Sequence, residues 1–486
     1  MKILLKIKGI RPQSPAAAGD SKSEFTQPQQ SCEVFQSPVF WLHSDDMPTG
    51  ASSSLAKIEK ILFYFLAAGF FWQLRFIWQP LGRGFNEWTS IYLYATDLIV
   101  AAVLFLWLVR IWRGKLKFTF SRADIFLGIF LAVAGLSIAV ATDKLLAGYG
   151  FIKLLEMAAL FLYVKNNFSK ICDLRIFWHL FIGSALIQSG AAITQFFIQK
   201  NLGLKFFAES PLSSGLAGVA KIVVNGQNFI RAYGLVPHPN LLAAILIVAL
   251  FGLAYLWIKH YQNISLCHKI MNVVVLAVLL WALFLTFSRA LTIVGLALLI
   301  LWLVYLWRQK VFRRPIAAFV CLLFIVYCLL FIVYWPYVSS RYDPSSLAGS
   351  QSVNLRVLYN GAAWNMIKQS PSWGVGQGNF VLIFGQSYDK LQSWVWQPVH
   401  NVYLLIAAET GISGLLAFLA FLFLTIKSAW LQRKNLLVSC LLSLVSFLLI
   451  IGLFDHLTWD LQQGQIMFWL ALGLLASSPR SSMDRT

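Results

Sequence analysis

Residues 237–258 read PHPNLLAAILIVALFGLAYLWI, a stretch without a single Asp, Glu, Lys or Arg. As helix, at about 1.5 Å rise per residue, it is long enough to cross a hydrocarbon layer of about 30 Å. Pro237 and Pro239 fix its entry. Working outward, apolar runs of similar length recur at 61–79, 91–109, 124–141, 149–164, 176–198, 270–286, 290–307, 315–335, 400–425, 436–454 and 460–476. With 237–258 they make about twelve transmembrane helices, and the chain reads as an all-α polytopic membrane protein. Composition agrees: of 486 residues 59% are hydrophobic and 12% charged, against about 25% charged in soluble proteins. So little charge cannot coat a water-soluble globule, and disordered, coiled-coil and disulfide-scaffold classes are excluded with it.

The 39 Lys and Arg outnumber the 19 Asp and Glu, a net charge of +20. In a soluble chain that excess would point to nucleic acid. In a membrane protein it marks cytoplasmic connections. With the N-terminus taken as cytoplasmic, nineteen basic residues, from Lys57 and Lys60 through Arg110 and Arg308 to Arg433 and Lys434, fall in connections on that side. The short connections on the other side hold only Arg83, Lys144 and Arg289. The asymmetry puts both termini in the cytoplasm, surrounds the protein with membrane lipids and implies no nucleic-acid partner. Residues 1–56, rich in Ser, Pro, Gln and Ala, read as a disordered cytoplasmic tail, with Met47 as an alternative start. The membrane domain runs over 57–476, and 477–486 is a second cytoplasmic tail.

Two long connections, 199–236 and 336–399, fall on the extracytoplasmic side, where long ordered loops carry function. In the second, Leu355, Leu358, Tyr359, Ala362, Ala363, Met366 and Ile367 recur at helical spacing up to Pro371 and the turn GVGQG at 374–378. This gives a large extracytoplasmic helical loop between spans nine and ten. No transporter-like internal repeat is visible.

Polar residues at the outer ends of apolar runs need a reason. They fall at RAYGLVPHPN (231–240), with Arg231, His238 and Asn240; at TFSR (286–289), with Arg289; at NLR (354–356), with Arg356; and at VHNVY (399–403), with His400, Asn401 and Tyr403. ETGISG at 409–414 lies deeper, and Asp455, His456, Gln462 and Gln463 sit at the last outer turn. Each has a plainer reading. A lone interfacial arginine snorkels, His400 at a helix start is a cap or interface residue, and His238 between prolines is structural. GVGQG is a tight turn before it is a phosphate loop, and Lys153 and Glu156 pair with each other or with Asp97. Three arginines where positive charge is otherwise scarce argue together for an anionic ligand such as phosphate or pyrophosphate. These residue types suit group transfer from a lipid-linked pyrophosphate: arginines hold the leaving group, and a histidine, with reference pKa near ~6.5, takes the proton of an attacking hydroxyl. No acidic metal pair appears in the outer loops and no cysteine has metal-ligand spacing, so neither a metal nor another cofactor is expected.

The pieces RAYGLVPHPNLLAAIL (231–246), TFSRALTIVGL (286–296), LRVLYNGAAWNMIKQSPSWGVGQGNF (355–380), HNVYLLIAAETGISGLLAF (400–418) and FDHLTWDLQQGQIMFWLALGLL (454–475) resemble, in order and topology, the O-antigen ligase and polymerase family of bacterial membrane glycosyltransferases. The resemblance covers about residues 60–476. It implies a metal-independent fold of the lipid-linked-sugar (GT-C-like) type, in the inner membrane and active on its outer face. It also implies inverting transfer of a glycan from undecaprenyl pyrophosphate to an acceptor hydroxyl. Arg231, Arg289 and Arg356 would engage the pyrophosphate and His400 would be the base, with His238, Asn240, Asn401 and Tyr403 in support. The acceptor would be lipid A-core, a growing polysaccharide or a protein, because ligases, polymerases and protein O-oligosaccharyltransferases share these motifs. A flippase or transporter of lipid-linked glycan is the alternative from a different class.

Overall fold

The structure is a computed structural model and describes residues 54–80, 86–114, 116, 118–342 and 347–477. The expected tail therefore lies outside the described residues up to 53, as do 478–486 and Arg83. Helix α1 (Ser54–Gly69) leads into a hairpin of β1 (Arg75–Pro80) and β2 (Ser90–Tyr94). Then come α2 (Ala95–Trp112), α3 (Arg122–Ser137), α4 (Lys144–Ile171) and α5 (Leu174–Ile198). A second hairpin, β3 (Lys221–Val224) with β4 (Gln227–Ile230), fills the first long connection. After α6 (Pro239–His260), α7 (Leu266–Leu285), α8 (Arg289–Trp307) and α9 (Arg313–Val333), the second long connection holds α10 (Trp335–Tyr342), α11 (Leu347–Gln369) and α12 (Phe380–Ser387). The chain closes with α13 (Val402–Trp430), α14 (Leu436–Ile451), the single turn α15 (Leu457–Asp460) and α16 (Gln462–Ser477).

The protein is a mostly helical, polytopic membrane protein. Among the described residues nine helices are long and apolar enough to cross a bilayer. The other three expected runs contain α1, α14 and α16, of 16 residues each. One run is corrected. Residues 61–79 are not one helix, because α1 ends at Gly69 and Arg75–Pro80 pairs as a strand with Ser90–Tyr94. The sequence RFIWQP places Phe76, Ile77 and Trp78 close behind the apolar run before it, and a short apolar stretch does not by itself tell strand from helix. The run at 91–109 likewise begins as β2 and becomes helix only at Ala95.

Helix α6, the uncharged stretch, is the axis of the bundle: its apolar window is entirely buried, against α5, α7, α8 and α14. The outer helices instead expose Phe105, Ile187, Ile293, Phe324 and Phe423, the apolar belt that hydrocarbon solvates. Several charges inside the bundle are paired. Glu59 accepts from Arg110 at 2.6 Å, Lys153 donates to Asp97 at 2.5 Å and to Glu156 at 2.9 Å, and Lys165 binds Asp124. The Lys153 pairing is the structural one its spacing suggests. Removing one partner would strand a buried charge, at a cost of about 3–5 kcal/mol.

The second long connection is anchored in a break of α13. At Gly411 the backbone turns to φ 75°, ψ 175°, freeing carbonyls of the preceding turn. Val375 and Gly376 of the GVGQG turn donate their N–H groups to Ala408 O and Glu409 O, both at 2.9 Å, and Ile412 N donates back to Pro371 O at 2.8 Å. Those amides are therefore spent on the break, and the glycine turn acts as a clasp, not a phosphate loop. A Cβ on Gly411 would meet Ser372 O at 2.3 Å, and one on Gly374 would meet the Glu409 carbonyl carbon at 2.4 Å. Asn379 locks the far side, accepting from Asp143 N at 2.8 Å and donating to Asp143 O at 3.1 Å. Gly411→Ala combines a glycine-only conformation, worth about 1–3 kcal/mol, with a backbone clash. It should lower the melting temperature of the purified protein in detergent, with loss of loop order read by proteolysis between 336 and 399. An unchanged melting temperature would show that the break does not hold the loop.

Candidate active site

Helix starts gather the polar residues. His238 caps α6, its Nδ1 accepting from Asn240 N at 3.2 Å. Asn401 caps α13, its Oδ1 accepting from Tyr403 N and Leu404 N, both at 3.0 Å, while Tyr403 Oη donates to Leu449 O of α14 at 2.8 Å. These residues hold backbone in place. Their side chains are spent on that task.

Asn240 is the hub. Its Oδ1 accepts from Arg231 Nη2 and from Ser288 Oγ, both at 2.9 Å, and its Nδ2 donates to Asp455 Oδ2 at 2.7 Å. Arg231 is buried and its Nε also donates to Thr286 O at 2.6 Å. The RAYGLVPHPN segment, the α7–α8 connection and the turn after α14 are thereby tied at one end of the bundle. Phe287, between Thr286 and Ser288, takes a left-handed φ of 48°, the strained backbone of a connection with no spare residue. Arg289 opens α8 next to Ser288 and is exposed.

His400 stands across from this hub. Its ring stacks parallel on Tyr359 of α11 at 5.5 Å and meets the His456 ring edge-on at 4.8 Å. Tyr359 is itself fixed, its hydroxyl donating to Val395 O at 2.6 Å. His400 Nδ1 lies 3.2 Å from Pro398 O. A carbonyl only accepts, so Nδ1 carries the proton and Nε2 keeps its lone pair. Burial, then the charge of His456, holds the His400 pKa down to about 3, and Arg356 and His238 act in the same direction. His238 is held down to about 4, by burial and then by Arg231. His456 goes the other way. Burial opposes its charge, but Asp460, whose Oδ1 lies 2.7 Å from Nδ1, outweighs it through charge and hydrogen bond and raises the pKa. Burial opposes ionisation of Asp455 too, yet the histidines around it and the Asn240 hydrogen bond hold its pKa below the usual carboxylate value.

Arg356 lies three residues before Tyr359, close enough for its charge to act on all three histidines. Its Nε–H is buried without a hydrogen-bond partner. The arrangement thus presents an imidazole with its pKa lowered and Nε2 unbonded beside a second imidazole with its pKa raised, with the charge of Arg356 acting on both. A low-pKa imidazole can accept a proton from a hydroxyl, and a guanidinium can stabilise an anion. The sequence placed Asp455 and His456 at the last outer turn without assigning them a role. The His456–Asp460 pair was present there as an i, i+4 spacing, but its position against His400 is long-range. Among the described residues no group of three His, Cys, Asp or Glu is placed to hold a metal.

Residues 274–419 match the family model described as O-Antigen ligase. The match runs from within α7 through the first half of α13 and so includes Arg289, Arg356, His400, Asn401 and Tyr403. Arg231 and the His456–Asp460 pair lie outside it. No curated protein matches the chain. The matched segment carries the clasp loop together with Arg356 and His400, and over these residues the chain is similar to the O-antigen ligase family, membrane proteins of O-antigen and related polysaccharide biosynthesis.

Proposed function

We propose that the protein is an inverting, metal-independent glycosyltransferase of the bacterial inner membrane. It moves a glycan from undecaprenyl pyrophosphate to an acceptor hydroxyl on the extracytoplasmic face, with both termini in the cytoplasm. The observation that carries this reading is His400, whose Nδ1 is held at Pro398 O and whose pKa is lowered by burial, by His456 and by the charge of Arg356. The acceptor oxygen attacks the anomeric carbon, its proton passes to His400 Nε2, and the carbon–oxygen bond to the pyrophosphate breaks with its electron pair leaving on the lipid pyrophosphate. Arg231, Arg289 and Arg356 offset that charge. Asn240 and His238 position Arg231, while Asn401 and Tyr403 position His400. Lipid A-core, a growing polysaccharide and a protein are all suitable acceptor classes for this chemistry. Against a flippase stand the absence of a visible internal repeat and the outer arginines falling at one face instead of along a path.

His400→Ala should reduce transfer by about 10²–10⁴-fold while the protein inserts normally. Surface polysaccharide at the wild-type level in that variant would remove the base from the scheme. Arg289→Lys should also be impaired, since an ammonium cannot reproduce a two-pronged guanidinium contact.

The pH dependence follows from the sign of the shift. A base must be unprotonated, and His400 is held below the ordinary value of 6.5, so the acid limb of kcat/KM should lie below 6.5 in the free enzyme. Binding an anionic donor raises the imidazole pKa, so the limb in kcat should lie higher. His456→Gln removes the neighbouring cation and should move the kcat/KM limb upward. A kcat/KM limb at or above 6.5, or one unmoved by His456→Gln, contradicts the assignment.

A further inference from the structure

Beside the histidine pair, between β2, α4, α13 and α16, lies a cavity of about 110 Å³, against about 10–15 Å³ for one water. Its lining includes Pro398 and Asp460, which flank His400 and His456, but neither Arg231 nor Arg356. Four lining residues bring buried polar atoms with no hydrogen-bond partner: the Nε1–H of Trp88, Oε1 of Gln377, Oδ2 of Asp460 and Oε1 of Gln462. Gln377 and Gln462 are only 6% and 3% exposed, so bulk water does not serve them. Leaving such a group unmet costs about 1–3 kcal/mol. Trp88 and Trp459 add aromatic faces, and Trp88 packs edge-on against His456 at 5.8 Å.

The unmet groups state what the occupant must offer. Three acceptors and one donor call for a molecule rich in hydroxyl or amide N–H groups that also accepts. The lining offers a phosphate the carboxyl groups of Glu87, Glu409 and Asp460, of which Glu87 is already paired with Arg75 and Asp460 with His456. The one lining lysine, Lys153, is already bound to Asp97 and Glu156. Flat aromatic faces suit the apolar face of a pyranose ring.

We infer that this cavity is a subsite for one neutral sugar ring, held next to His400 and apart from the arginine cluster that takes the pyrophosphate. It deepens the glycan-transfer reading and rests on it for the identity of the substrate.

The test uses saturation-transfer NMR on the purified full chain in detergent, titrated separately with D-glucose, D-galactose, N-acetyl-D-glucosamine and inorganic pyrophosphate. At least one sugar should give a saturable signal. Trp88→Phe, which keeps a ring but loses the N–H, and Gln377→Met, which keeps length but loses the amide, should each weaken it about tenfold. Pyrophosphate binding should be unchanged in both, which also shows that they fold. The subsite is overturned if the wild-type protein binds pyrophosphate but none of the sugars, or if both variants keep wild-type sugar affinity. Sugar binding that follows the variants, in a protein that does not bind pyrophosphate, would support the subsite and overturn instead the arginine reading.

Discussion

The structure turns on one broken helix. In a bundle surrounded by hydrocarbon, backbone carbonyls released by a kink have no water to turn to, so another segment of the protein must supply the donors. Gly411 opens α13, and Val375 and Gly376 close the gap with their amides. The same clasp draws α11 and α12 onto the bundle. It thereby sets Tyr359 under His400, and Arg356 within reach of the three histidines. A requirement of backbone chemistry has thus become the device that assembles the site.

A second constraint acts on the site itself. Burial, and after it the charge of His456, lowers the pKa of His400, while Asp460 raises that of its neighbour His456. Two imidazoles 4.8 Å apart thereby have their pKa values moved in opposite directions. Arg231 is held at Asn240, and the carboxyl-bearing cavity is lined by neither Arg231 nor Arg356.

Most of the fold was legible because apolar runs in a membrane protein have few other uses, and each of the twelve runs contains a helix. The exceptions are instructive. RFIWQP at 75–80 is a strand whose apolar residues extend the run before it, and apolarity carries no record of hydrogen-bond partners. GVGQG showed its glycines plainly, and their number fits the three left-handed φ angles at Gly374, Gly376 and Gly378. That its amides serve Ala408 and Glu409 depends on a contact between distant segments. Asn240 and Asn401 stood out as polar residues at helix starts, and both are occupied in capping or bridging there. The role of His456 was hidden for the opposite reason. Its spacing to Asp460 is local, but its meaning comes from His400, far away in the chain.

The central claim is that this end of the protein performs covalent transfer without a metal. The direct measurement is to incubate the purified full chain in nanodiscs with undecaprenyl-pyrophosphate glycan and candidate acceptors in a chelator, and to analyse the products by mass and by anomeric configuration. The account predicts acceptor extended by the glycan, with the anomeric configuration inverted and undecaprenyl pyrophosphate released. Retained configuration, a product that forms only when divalent metal is restored, or glycan that crosses the membrane still joined to its lipid would contradict it.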